Sequence, residues 1–160
     1  MLRVSKLTDY GTLVMSQMAC APSQVFSAND LAGRLGLGVA TVSKILKILA
    51  RHELVISVRG QRGGYSLSRP AERITLADIV DALEDQPFGL TECSSHAGQC
   101  GIETGCRVQA NWRRVNAVVR RALESVSLAD MQEPESVPIH GPLRAAPGSR
   151  IAAVPASRTR

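Results

Sequence analysis

The sequence predicts a mainly α chain with one small β-hairpin and a long C-terminal helix. Three observations predict it. Short segments of helical apolar periodicity follow one another up to residue 52. Two β-type runs flanking a glycine-rich tip come next. Beyond residue 107, Val108, Trp112, Val115, Val119, Ala122, Val126 and Ala129 recur at alternating spacings of 4 and 3, a heptad seam. Aromatic residues make up only 3% of the 160, so the core must be assembled from Leu, Val, Ile and Ala.

The elements follow in order. Residues 8–20 read as a helix, with Thr8 as its cap and Leu13, Val14 and Ala19 on the buried side. Pro22 closes it, because proline cannot continue the hydrogen-bond ladder. Cys20, at its end on an apolar stretch, reads as a buried small hydrophobe. Ser27-Ala28-Asn29-Asp30 resembles a capping box opening a helix over 28–35. Gly36-Leu37-Gly38 turns the chain into a third helix from 39 to about 52, whose apolar face is Val42, Ile45, Leu46 and Leu49. Leu54–Val58 and Tyr65–Ser68 are the two strands, and Thr75–Asp78 is another capping box, opening a helix over 76–84. Residues 85–106 carry three cysteines and no periodicity, which reads as a loop.

After Met131 the periodic pattern stops, and five of the eight prolines fall in 132–160. That tail is expected to be disordered. The division that follows is 1–84, 85–106, 107–131 and 132–160. Lys and Arg outnumber Asp and Glu by 19 to 14, a balance that favours an anionic partner but does not establish one. No targeting segment or membrane span is visible, so a cytoplasmic protein is expected, with its thiols reduced.

Helix, helix, glycine turn, helix and glycine-rich hairpin is the order of a winged helix-turn-helix. The third helix turns its apolar face inward, which leaves Ala40, Thr41, Ser43, Lys44 and Lys47 free to enter a major groove. Small and hydroxylated side chains near its start allow close approach to base edges, and the lysines neutralise phosphates. Arg59 and Arg62, on the glycine-rich wing tip, can reach the backbone or a narrow minor groove. The expected partner is double-stranded operator DNA. No catalytic set, P-loop or nucleotide fingerprint appears, so neither an enzyme nor a small-molecule substrate is expected.

Cys93-x6-Cys100-x5-Cys106 places three thiols in fourteen residues, with Gly98, Gly101 and Gly105 between them. Thiolates are soft ligands, suited to iron–sulfur clusters and to zinc, and glycines let a short segment wrap a metal. The spacing is not that of a CxxC redox centre or a zinc ribbon. Three readings stand at this level: a cluster, a structural zinc, or bare sensor thiols. Three cysteines also leave a four-ligand shell incomplete.

MLRVSKLTDY, LGVATVSKILKILARHELV, SVRGQRGGYSLSRP and the cysteine segment together resemble the IscR/NsrR-type (Rrf-two) winged-helix regulators, over roughly residues 1–131. Within them, the stretch from Thr91 to Met131 is similar to regulators of the SUF iron–sulfur assembly system. The resemblance implies a homodimer joined through the long helix. It also implies a 2Fe-2S or 4Fe-4S cluster on Cys93, Cys100 and Cys106 that controls operator binding, with repression of cluster-assembly genes as the output. One branch of the family takes a His three residues after the third cysteine as fourth ligand, where this chain has Gln109. Another takes an acidic residue of the partner's N-terminal segment, which here is Asp9. His96 and Glu103 are the other candidates. A regulator of the same fold sensing nitric oxide, redox state or zinc through these cysteines is the alternative.

Overall fold

The structure, a computed structural model, describes residues 4–60, 63–84, 89–91, 98, 100–101 and 105–132. Arg62, Cys93, His96, Glu103 and the tail beyond Gln132 lie outside the described residues. The elements are α1 (Lys6–Ala19), α2 (Ala28–Leu35), α3 (Val39–Arg51), β1 (Val55–Val58), β2 (Gly64–Leu67), α4 (Leu76–Leu83) and α5 (Gln109–Glu124). Short 3-10 turns at Ala71–Arg73 and Asp130–Gln132 complete it.

Local chemistry sets most of these boundaries. α2 and α4 open on reciprocal capping boxes, Ser27 with Asp30 and Thr75 with Asp78. In each, the hydroxyl accepts from the N3 amide and the carboxylate accepts from the cap's own amide. α1 starts earlier than its sequence suggests, because Ser5 is the cap and accepts from the amide of Thr8 at 3.2 Å. Thr8 is instead a buried residue within the first turn. Gly36 ends α2 in the left-handed region at φ 65°, so the chain turns sharply into α3.

The core lies where α1, α3 and α4 meet. Val42, Ile45, Leu46 and Leu49, the predicted inner face of α3, are all fully buried, together with Val14, Met15 and Met18 of α1 and Ile79 and Leu83 of α4. Leu13, expected inside, is exposed. The buried side of α1 runs through Gly11, Val14, Met15 and Met18, and Leu13 falls outside that stripe. Cys20 is exposed as well, its thiol donating to the side-chain oxygen of Gln132 at 2.7 Å.

The C-terminal helix is shorter than its heptad pattern suggests. It stops at Glu124, and residues 126–132 fold back across the start of α4. Leu76 donates to the Val126 carbonyl at 2.8 Å, Leu128 donates to the Ile74 carbonyl at 2.7 Å, and the Leu128 side chain is fully buried. Ser127 and Asp130 hold this strap with the same reciprocal pairing seen at the helix caps. Gln132 then reaches back to α1, donating to the carbonyl and hydroxyl oxygens of Ser16. Arg120 ties α5 to α4 through Asp81 at 2.7 Å and to its own helix through Glu124 at 2.8 Å. No residue of α5 is buried within one chain, and Trp112, Val115 and Val118 stand exposed on it.

Candidate nucleic-acid interface and cysteine segment

With its apolar stripe turned inward, α3 presents Ala40, Lys44, Lys47 and Arg51 to solvent, and Thr41 and Ser43 half-buried at the edges of that face. These residues share one side because 40, 44, 47 and 51 are spaced by 4, 3 and 4 along a helix of 3.6 residues per turn. Gly38 caps α3 without a side-chain hydrogen bond, so the cap itself leaves the amides of the first turn open. An uncovered helix N-terminus favours anions. Among the described residues neither Lys44, Lys47 nor Arg51 enters a salt bridge. Their charge is therefore available to an outside partner. The same face borders an open cleft of about 660 Å³, whose lining also takes in Leu7 of α1 and Ala82 and Leu83 of α4.

The wing is the β1–β2 hairpin, with Val55 opposite Leu67 and Val58 opposite Gly64. Tyr65 also exchanges two backbone hydrogen bonds of 2.8 Å with Phe26, which fastens the hairpin to the segment before α2. This attachment explains a glycine of the tip. A Cβ on Gly64 would collide with the backbone carbonyl of Phe26. Arg59 stands exposed at the tip.

The cysteine segment leaves α4 beside Glu84 and enters α5 at Cys106, whose carbonyl accepts from the Gln109 amide at 3.4 Å. Cys100 and Cys106 are free thiols, both half-buried. Gly98 has φ 85°, a conformation that disfavours any side chain, and places a turn two residues before Cys100. Leu90 donates to the Asn116 side chain at 3.1 Å, which anchors the start of the segment to α5. Two soft donors on a glycine-bearing segment suit an iron–sulfur cluster in chemistry. Asp9 is exposed on the first turn of α1. Among the described residues no three His, Cys, Asp or Glu side chains come together, so Asp9 does not join Cys100 and Cys106 within one chain.

Glu84 was not singled out by sequence. Its carboxylate accepts the Ser5 amide at 3.1 Å and the Thr8 hydroxyl at 2.5 Å, joining the start of α1 to the residue where the cysteine segment departs. Burial pushes its pKa up, but the hydrogen bonds from Thr8 and Ser5 outweigh burial and hold it below the ordinary glutamate value.

These features define a winged helix-turn-helix regulator with a cysteine-bearing segment between its winged-helix unit and an arginine-rich helix that exposes Trp112, Val115 and Val118. The chain belongs to the Rrf2 family, described as iron-dependent transcriptional regulators, which it matches over residues 4–134. It is similar to the structure of CymR (YrzC), the global cysteine regulator of B. subtilis, at 26% identity and TM-score 0.64, covering 82% of this chain and 97% of that one. It is also similar to T. potens IscR, at 28% identity and TM-score 0.60, covering 81% and 85%. The oxidized form of Staphylococcus aureus CymR matches at 26% identity and TM-score 0.62, covering 85% and 100%. The chain is thus a transcriptional regulator rather than an enzyme. No described helix is long and apolar enough to cross a membrane.

Proposed function

We propose that this regulator is a homodimeric repressor of iron–sulfur cluster assembly genes, with operator affinity set by a cluster on Cys93, Cys100 and Cys106. The observation that carries the proposal is the pair of free, half-buried thiols, Cys100 and Cys106, on the segment joining α4 to α5. When bound, the cluster supplies a centre whose loading depends on iron supply and redox state. Asp9 of the partner subunit completes the ligand shell, since Gln109 stands where a histidine would serve.

The protein's own residues convert ligation into orientation. Cys100 and Cys106 draw the segment together, and its two ends are tied to different helices. Glu84 binds α1 at one end, and the Cys106 carbonyl begins α5 at the other. A change in the segment therefore shifts α5, and with it the dimer, relative to α1 and the α3 reading face. Ala40, Thr41 and Ser43 read base edges, while Lys44, Lys47, Arg59 and Arg62 neutralise phosphates. Loading selects one of two dimer arrangements, and only one fits both operator half-sites.

A second reading has its own support. Two of the similar structures are CymR proteins, one of them in an oxidized form. In that reading the bare thiols respond directly to oxidants. Fluorescence anisotropy on a duplex from upstream of cluster-assembly genes tests the proposal. Cluster-loaded and stripped dimers should differ at least about tenfold in affinity, roughly 1.4 kcal/mol. Equal affinities across loading states, with a response to thiol oxidation, would replace the cluster reading with the second.

A further inference from the structure

We infer that the cleft beside α3 is a track for one sugar–phosphate strand of the bound duplex, with Arg51 as a phosphate contact at its far end. The inference rests on the DNA-binding reading of α3 and extends it to a residue outside the predicted contact set. Lys44, Lys47 and Arg51 form a single stripe on α3 and all three line the cleft. From Lys44 to Arg51 the helix rises about 10 Å, at about 1.5 Å per residue, so the three cations are strung along one direction.

The opposite wall is different in kind. Half-buried Leu7 and Ile48 offer apolar side chains there, over the buried Ala82 and Leu83, and His52 completes that end of the lining. A cleft with one cationic side and one apolar side is poorly suited to a small hydrated anion. It suits a polymer that is itself two-faced. A deoxyribose–phosphate strand alternates charged phosphates with apolar sugar edges, so phosphates can lie along Lys44, Lys47 and Arg51 while sugars rest on the half-buried Leu7 and Ile48. Among the described residues no acidic side chain lines the cleft to oppose this. Base reading then belongs to the first turn of α3, at Ala40 and Thr41, and strand tracking to its later turns.

The division of labour is testable with the full-length protein. Operator and scrambled duplexes of equal length are titrated by anisotropy across a range of salt for wild type, Arg51→Ala, Arg51→Lys and Thr41→Ala. Arg51→Ala should weaken binding to both duplexes by a similar factor, several-fold or more, and lower the salt slope by about one. Arg51→Lys should keep the slope, and Thr41→Ala should lose affinity for the operator alone. Unchanged affinity and slope in Arg51→Ala, with wild type binding normally, overturns the track and leaves the DNA-binding reading intact. Loss confined to the operator makes Arg51 a base reader and also overturns it. A wild-type protein that binds neither duplex overturns both.

Discussion

The hydroxyl of Thr8, in the first turn of α1, donates to the carboxylate of Glu84 at the end of α4, with 2.5 Å between the oxygens. Thr8 is almost wholly buried, and Ser5 adds its backbone amide to the same carboxylate. One side chain thus holds the start of the helix that carries Asp9 against the point where the cysteine segment begins.

Removing that carboxylate strands two donors. Glu84→Ala should destabilise the fold by about 1–3 kcal/mol, because the buried Thr8 hydroxyl loses an acceptor, while Glu84→Gln should recover part of the loss. Urea unfolding measures both. The sign of the pH dependence follows from a carboxylate held below its ordinary value of 4.5. Its contribution is fully present above that value and is lost as pH falls through the depressed folded value. Wild type and Glu84→Gln should therefore converge in stability on acidification, and a gap that stays constant with pH would contradict this account of Glu84.

The folded-back strap makes its own prediction. Leu128 is fully buried although it lies past the end of α5, so Leu128→Ala should cost about 2–5 kcal/mol. An exposed tail residue would cost almost nothing. Thermal unfolding separates the two outcomes.

How much of this was legible in the sequence depends on the range of the interactions. The caps at Ser27 and Thr75 and the apolar face of α3 are local patterns, and each is found where its spacing places it. The end of α5 was missed because Val126 and Ala129 extend the heptad spacing without belonging to the helix. Ser127-x-x-Asp130, the same signature that marks the starts of α2 and α4, was the overlooked signal. Cys20 was misread for a different reason. Its partner is Gln132, 112 residues away, and no local pattern reports such a contact. Glu84 was missed likewise, since its meaning lies in Ser5 and Thr8 across the fold.

Two glycines should respond in opposite ways to the same substitution. Gly64→Ala places a methyl against the Phe26 carbonyl, so it should destabilise by about 1–3 kcal/mol and weaken DNA binding as the wing shifts. Gly33, exposed within α2, has nothing near its missing Cβ. Gly33→Ala should stabilise by about 0.5–1 kcal/mol through the higher helix propensity of alanine. Melting temperatures of the pair decide whether the wing attachment is as tight as its geometry indicates.

Lys44 stands exposed on the outer face of α3 and, among the described residues, takes no ion pair there. Lys44→Ala should weaken binding to any duplex and lower the salt slope by about one. An unchanged slope in salt-dependent anisotropy would remove Lys44 from the phosphate contacts.

The central claim, that Cys93, Cys100 and Cys106 hold an iron–sulfur cluster, is tested most directly by purifying the protein without oxygen. Its visible spectrum is recorded with iron and sulfide content, alongside Cys100→Ala. The account predicts a brown protein carrying both iron and sulfide, and a colourless Cys100→Ala. A colourless wild type that still binds its operator, or a Cys100→Ala protein that keeps the full spectrum, would contradict it.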